Sequence, residues 1–338
     1  MKKEKTTHTY NFIWGFGAEL LLLLLGAVLS VSYGSKQIPL TEILSFVTGG
    51  DVDSFLGAVI AARIPRTVFG LLAGASLGIS GALMQSITAN PIADPSILGV
   101  NTGASLFVVI GIAYLGITSG IGLIGLAFIG AMLTAVFVYG IASVGYGGAN
   151  SMKLALAGAA VSTALGALVN TIMLPDSHVM KEFRFWQVGS IGGGTWEDVR
   201  LLLPFFGVGI FLALCCGASL NVLSLGDEMA VALGVHVGLI RLVSAFAGVL
   251  LCASVTALAG PIGFVGLMMP HLVRQLFTGD MRIVLPMSAL GGAALLTLSD
   301  VAGRVLGRPG ELEVGIITAI LGAPIFVWIV WKSKVKSI

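Results

Sequence analysis

The sequence predicts an all-α membrane protein that crosses the lipid bilayer about ten times. Hydrophobic residues make up 57% of its 338 residues and charged residues 10%, and the mean hydropathy is +1.02. These values exclude a soluble domain of ordinary composition. Apolar runs of about 20 residues, the length that crosses a hydrocarbon core, recur along the chain. The 47 glycines suit helices that pack closely through small-xxx-small spacings. We therefore expect one transmembrane domain over residues 1–338.

The first predicted span covers residues 13–33, and its apolar run is too long for a cleaved signal peptide. Three lysines lie within residues 2–5 and three more within residues 332–336. By the positive-inside rule, both termini lie in the cytoplasm, and the number of spans is even.

The segment between the first two spans predicts a short surface helix, because residues 38–50 read IPLTEILSFVTGG. The chain re-enters the membrane from Ala61 through the string RIPR, and the second span covers residues 67–86. On this topology six of the nine arginines lie outside. Arginine forms directed pairs with carboxylates, which indicates an acidic protein partner on the outer face. The alternative is that Arg63 and Arg66 only reach lipid headgroups.

The middle of the chain supplies four more spans, at residues 96–111, 121–144, 154–173 and 201–218. Asp94 followed by Pro95 is the pattern of a helix N-cap with proline at the first helical position, so the third helix is predicted to begin there. Residues 176–200 form the largest polar excursion outside the membrane. The cysteines, which all lie in apolar helices, are expected to be buried free thiols.

A polar island at residues 219–241 interrupts the apolar blocks and must be surrounded by water. It carries Asp227, Glu228, His236 and Arg241, and two glycines divide it into short pieces. One side of the middle piece is apolar, formed by Met229, Val231, Ala232 and Leu233. Such a piece could lie in a groove of a partner protein.

The chain then repeats itself in outline. An arginine, a span rich in glycine and alanine, a break containing proline and a short helix follow in order from Arg66 and again from Arg241. An odd number of spans separates the copies, so they cross the bilayer in opposite directions, an arrangement typical of transporters. We place the repeat halves at about residues 61–175 and 238–331. The ninth and tenth spans cover residues 284–306 and 314–331, and Asp300 and Arg304 are spaced for a local ion pair.

Five strings in this order carry a resemblance to a known family: RIPR, ALMQSITANPIADPSILG, SLGDEMAVALGV, GPIGFVGLMMPHLVR and ELEVGIITAILGAPIFVW. Together they closely resemble the permease subunits of ATP-driven importers for iron-siderophore complexes, haem and vitamin B12, the FecCD-like type II importers. The resemblance covers roughly residues 40–331. It implies a ten-helix subunit of a bacterial cytoplasmic membrane that pairs with a second copy or a paralogue. An ATP-binding cassette ATPase dimer would attach inside, and a substrate-binding protein would dock outside.

The resemblance also implies site residues. Arg63, Arg66 and Arg304 match arginines that pair with glutamates of the binding protein. The segment 219–237 matches the element that couples the permease to the ATPase, with motif positions at Gly226, Asp227, Glu228, Ala230, Leu233 and Gly234. Two positions depart from the family: Ala89 stands where arginine is frequent, and Glu313 stands where proline is usual and could add a carboxylate near Arg304.

The chain itself is not expected to be an enzyme, because it contains no GxxxxGK[ST] phosphate loop. A partner would hydrolyse ATP, and this subunit would supply the path by alternating access. Candidate path residues are Met84, Gln85 and Asn170, which are uncharged. Iron(III)-siderophore is the leading cargo, with haem and cobalamin as alternatives. No bound cofactor or metal and no nucleic-acid partner is expected.

The residues disfavour two other function classes. A proton- or sodium-coupled carrier tends to place ionisable groups at mid-membrane, and only Glu19 and Asp300 come near, both towards helix ends. An intramembrane enzyme would need a catalytic constellation at depth, but all four histidines lie in polar segments.

Overall fold

The structure, a computed structural model, describes residues 2–34, 36–50, 52–145 and 150–332. All regular structure in these ranges is helical, and a 3-10 turn at Pro95–Leu98 precedes α4. The α-helices are α1 Lys2–Ser32, α2 Leu40–Val47, α3 Ser54–Ile87, α4 Val100–Leu115, α5 Ile121–Ser143, α6 Ser151–Met173, α7 Ser177–Gln187, α8 Trp196–Leu223, α9 Asp227–Ala232, α10 Val237–Ala259, α11 Val265–Leu276, α12 Met281–Leu306 and α13 Val314–Lys332.

Within these ranges, seven helices are long and apolar enough to cross a membrane: α1, α3, α5, α6, α8, α10 and α12. Two shorter apolar helices accompany them, Val100–Leu115 and Val314–Val327. The remaining predicted segment forms the 12-residue α11. Each of the ten segments predicted to span the membrane is therefore helical, and the all-α fold is confirmed.

Helix α3 lies at the centre and packs against α12, α10, α11 and α8. A Cβ atom added at Gly74 would collide with the carbonyl of Gly292, and one added at Gly78 would collide with the carbonyl of Ser288. At Gly81 the obstacle would be the carbonyl of Gly266 on α11. The backbones of α3, α11 and α12 therefore touch, as the predicted small-residue packing requires.

The starts of α3 and of the third span differ from the prediction. Helix α3 begins at Ser54 rather than near Ala61, because its first turns are apolar and Pro65 is accommodated inside it. Asp94 does cap a helical turn, accepting from the N–H of Ser96 at 2.8 Å, but that turn is the 3-10 segment. The third span begins only at Val100, after Gly99 takes a left-handed conformation with φ of 73°.

The polar excursion at residues 176–200 contains a helix that was not predicted. Asp176 caps α7 by accepting from the N–H groups of His178 and Val179. Helix α8 then starts at Trp196, earlier than predicted, because Thr195 and Asp198 form a reciprocal capping box. It ends at Leu223, so the water-exposed island is shorter than the sequence suggested.

Asn221 joins the end of α8 to the start of α12. Its amide donates to the carboxylate of Asp280 at 2.6 Å, and its carbonyl accepts from the N–H of Met281 at 2.7 Å. Asp280 in turn caps α12 through the N–H of Arg282. The hydrogen bond from the backbone N–H of Arg282, and to a smaller extent the one from Asn221, hold the pKa of the Asp280 carboxyl below its usual value. The cysteines were expected to be buried free thiols; all three are free, and Cys216 and Cys252 are buried, but Cys215 is exposed.

Candidate functional site

A cluster of charged side chains occupies one end of the helix bundle, where α1 and α12 end and α3 has completed its first turns. We call it the arginine cluster, and it consists of Arg63, Arg66, Arg304 and Arg308 with Asp300 and Glu311. Four arginines against two carboxylates leave two excess positive charges. The cluster borders a cavity of about 360 Å³, which Arg63, Arg66, Arg304 and Glu311 help to line.

Arg66 makes the densest set of contacts in the arginine cluster. Its Nη2 lies 2.7 Å from Oδ1 of Asp300 and its Nε 3.2 Å from Oδ2, which is the bidentate geometry that arginine favours. Its Nη1 donates to Glu311 at 2.8 Å. The predicted ion pair between Arg304 and Asp300 is also present, at 2.9 Å. Asp300, at 3% side-chain exposure, is therefore shared between two arginines.

The other arginines hold the end of α1 by donating to backbone carbonyls. Arg63 donates to Val31 at 2.9 Å and Lys36 at 2.7 Å, and Arg304 donates to the carbonyl of Ser30 at 2.9 Å. Arg308 donates to Gly34. Positive charge at a helix C-terminus is attracted to the negative end of the helix dipole, so these contacts stabilise the end of α1.

The three arginines predicted to dock a binding protein thus differ in exposure. Arg63 is 7% exposed and Arg304 1% exposed, and both are engaged within the chain. The side chain of Arg66 is 13% exposed and that of its partner Glu311 is 39% exposed. Besides Asp300, the carboxylate that pairs with an arginine here is that of Glu311, and among the described residues Glu313 forms no ion pair. Sequence reasoning missed the pairing of Arg66 with Glu311, because nothing local connects residues that are 245 positions apart.

The island forms a different surface around the short helix α9. Gly226 and Gly234 flank it with φ of 101° and 82°, values that favour glycine and that turn the chain sharply at both ends. Ala230 is fully buried, whereas Met229, Val231 and Leu233 are 56–63% exposed. Asp227 pairs with Arg241 of α10 at 2.9 Å. Apolar side chains therefore project from a segment otherwise suited to water.

The loop after α3 lies beside α9 and shares a cavity of about 380 Å³ with it. Ala89 in this loop has φ of 48°, a left-handed conformation unusual for alanine. Arg274 of α11 faces the same cavity and donates to Gln85 and Ser86 of α3. The start of the island helix α9 and the loop after α3 thus border one cavity.

The three candidate path residues fall in different places. Met84 and Gln85 are 1% and 3% exposed and lie inside the chain, where Gln85 also donates to the carbonyl of Leu267 at 3.1 Å. Asn170 is exposed on α6. It belongs to an exposed stripe of small or polar residues on that helix, which includes Ala155, Ala159, Thr163, Ala167 and Thr171. Among the described residues, no group of three or more His, Cys, Asp or Glu could hold a metal ion.

Comparison with known proteins matches this architecture to transport proteins. The profile of the FecCD transport family matches residues 22–332. The ferric enterobactin transport system permease protein FepD of Escherichia coli (strain K12) is 40% identical over 314 residues, which cover 93% of this chain and 94% of that protein. The Fe(3+)-citrate import system permease protein YfmD of Bacillus subtilis (strain 168) is 40% identical over 315 residues, 93% of each chain.

A solved structure has the same fold. It is described as an inward-facing conformation of a metal-chelate type ABC transporter and superposes with a TM-score of 0.82. The two chains are 29% identical, and the match covers 95% of this chain and 99% of the other. The likeness extends over nearly the whole molecule and is not confined to one helical hairpin.

Proposed function

We propose that this chain, which belongs to the FecCD transport family, carries iron(III)-siderophore complexes. The family comprises permeases of ABC importers for iron-siderophore, citrate, haem or vitamin B12 type substrates. The chain is a multi-pass membrane permease and not itself an enzyme. Relatives named for ferric enterobactin and for iron(3+)-hydroxamate, 40% and 38% identical, support a siderophore cargo. Haem and cobalamin remain the competing cargoes, since relatives named for them are 33% and 40% identical.

The observation that carries the mechanism is the set of exposed apolar side chains on α9 and at Leu233, directly after it. Met229, Val231 and Leu233 would be costly to leave in water, and a groove of a partner would cover them. We infer that this partner is the ATP-binding cassette ATPase dimer, with Gly226, Asp227, Glu228, Ala230, Leu233 and Gly234 forming the coupling element. On this proposal α9 and both termini face the cytoplasm of a bacterium, and the membrane is the inner one.

At the opposite end of the proposed topology, the arginine cluster would receive the substrate-binding protein. Its net positive charge suits an acidic surface. Arg308 and Glu311 are its exposed members, and Arg66 beside Glu311 is partly exposed. Arg63 and Arg304 would contribute through the positive field at the cavity that they line, since their terminal Nη1 and Nη2 groups donate within the chain.

The translocation path would run along the exposed stripe of α6. In a membrane, a lipid-facing helix surface is built from large apolar residues, whereas this stripe presents alanine, threonine and Asn170. A second permease subunit, a copy or a paralogue, would face the stripe and complete the path. The halves at residues 61–175 and 238–331 would form an inverted repeat, and alternating access would move their other helices about the closely packed pair of α3 and α12. Met84 and Gln85 lie between the halves rather than on the open surface.

Reconstitution tests this proposal. The permease, its ATPase and its binding protein are placed in liposomes, and uptake of radioactive iron as a hydroxamate or catecholate siderophore is measured with ATP and without it. Parallel vesicles receive haem and cobalamin. Uptake of siderophore that requires ATP supports the proposal. Uptake driven by an ion gradient without the ATPase would overturn the mechanism, and uptake of haem or cobalamin alone would overturn the cargo.

A further inference from the structure

An apolar groove runs between α5 and α10, outside both the arginine cluster and the exposed stripe of α6. It holds a cavity of about 240 Å³. Small or buried residues form its floor, with Ala135, Ala245 and Val249 only 3–4% exposed. Val136 and Phe246 form its rims and are 63% and 43% exposed. A groove with a buried floor and open rims, placed on membrane-spanning helices, is shaped to receive an apolar chain.

The size of the groove selects the kind of chain. Its lining residues on α10 extend from Leu242 to Val249, which is about 10 Å at a rise of 1.5 Å per residue. One leaflet contributes about 15 Å of hydrocarbon, half of the usual 30 Å, so the groove follows most of a single leaflet. A helix about 10 Å wide is too broad for a cavity of this volume, whereas a methylene chain fits.

Basic groups lie at the polar end of this groove. Arg241 immediately precedes Leu242, which lines the groove, and Tyr139 of α5 supplies a hydroxyl group to the same lining. Arg241 pairs with Asp227 through Nη2, and its side chain remains 19% exposed. Lys153 approaches the same rim, donating at 3.2 Å to the carbonyl of Val144, one turn beyond Gly140.

We propose that this groove binds one acyl chain of an anionic phospholipid, with the lipid phosphate beside Arg241 and Tyr139. The lipid would belong to the leaflet nearest α9. It would stand next to the coupling surface without forming part of the cargo path, so the site does not depend on which substrate is carried.

Gly140 offers a direct test. It lines the groove, and nothing lies within 4 Å of the Cβ that a substitution would add. Gly140→Leu should therefore fill the groove without disturbing the fold. Gly125→Leu is the matched control, because Gly125 lies on the same helix, has equally open surroundings and does not line the groove.

The full-length permease, purified in detergent and stripped of lipid, would be titrated with palmitoyl-oleoyl phosphatidylglycerol and observed by native mass spectrometry. We expect one tightly bound lipid on the unchanged protein and on Gly125→Leu, and an affinity at least about tenfold weaker for Gly140→Leu. Equal binding by both variants would overturn the proposal. The diacylglycerol with the same chains should bind at least about tenfold more weakly than the phosphatidylglycerol. Equal binding of the two lipids would overturn the proposed contact between the lipid phosphate and Arg241. If Gly140→Leu instead abolishes pairing of permease subunits and leaves lipid binding unchanged, the groove is a protein interface and the proposal fails.

Discussion

Arg66 of α3 and Asp300 of α12 meet through two hydrogen bonds although 234 residues separate them along the chain. The contact closes one end of the same helix pair whose middle is joined by touching glycine backbones. Because Arg304 also binds Asp300, a single buried carboxylate neutralises charge from both helices. The arginine cluster is therefore part of the structural core as well as a surface feature.

Removing the Asp300 carboxylate should destabilise the protein strongly. Asp300→Asn leaves Arg66 and Arg304 close together with only Glu311 as a counter-charge, so the free energy of unfolding should fall by about 3–5 kcal/mol, the usual cost of breaking a buried ion pair. The measurement is the unfolding transition in detergent. Glu313→Gln is the control, because Glu313 forms no ion pair among the described residues. Equal stability of the two variants would contradict the shared role of Asp300.

Glu311→Gln should strengthen docking of the binding protein. The change replaces the carboxylate that pairs with Arg66 by a neutral amide and raises the net charge of the arginine cluster from +2 to +3, which attracts an acidic surface. Arg66→Glu should weaken docking, and both effects should be larger at low salt because exposed charges are screened by ions. Affinity at two salt concentrations measures this. If neither substitution changes the affinity of the binding protein, the arginine cluster contributes to stability alone.

Gly234→Pro should uncouple transport from ATP turnover while leaving the protein in the membrane. Gly234 has φ of 82°, whereas proline is fixed near −65°, so the turn after α9 cannot form. Asparagine tolerates the left-handed region, and Gly234→Asn should retain most of the coupling. Uptake and ATP hydrolysis are compared in proteoliposomes that contain the ATPase. Normal uptake by the proline variant would rule out α9 as the coupling element.

Stability should depend on pH through Asp280. The pKa of this carboxyl is lowered on folding by hydrogen bonds from Arg282 and Asn221. Such an acid stabilises the folded protein above its unfolded pKa of about 3.9, and the contribution is lost as pH falls through the folded value. Asp280→Ala should therefore lower the unfolding temperature at pH 7 and make less difference near pH 3. A constant difference across this range would argue against the ionised cap.

Gly74→Ala should disrupt the contact between α3 and α12. The added methyl group would overlap the carbonyl of Gly292, and backbone atoms cannot move aside as a flexible side chain can. We expect a loss of about 1–3 kcal/mol or failure to fold. Gly207→Ala on α8 is the control, since its surroundings are open. Retention of full stability by both variants would show that the helices are less tightly packed than described.

Local patterns in the sequence were sufficient to predict that the ten proposed spans are helical and that Asp94 is a cap, but not α7 or its cap Asp176. Asp94 was predicted to cap because Asp-Pro carries its own geometric signal, and the island was recognised because polar residues interrupt apolar runs. The direction of a side chain has no such local signal. Arg63 and Gln85 were assigned to surfaces, yet both fold inward, where carbonyls of distant helices accept their hydrogen bonds. Only packing determines that choice.

The contact between α3 and α12 also limits how the molecule can change shape. Side chains between two helices act as a compliant layer, because they can change rotamer while the helices slide or tilt. At Gly74 and Gly292 no such layer exists, since backbone meets backbone. A small shift of one helix along the other would drive a carbonyl into its neighbour. A conformational change elsewhere in the protein must therefore be taken up at looser contacts, and α3 and α12 would move together as one rigid body.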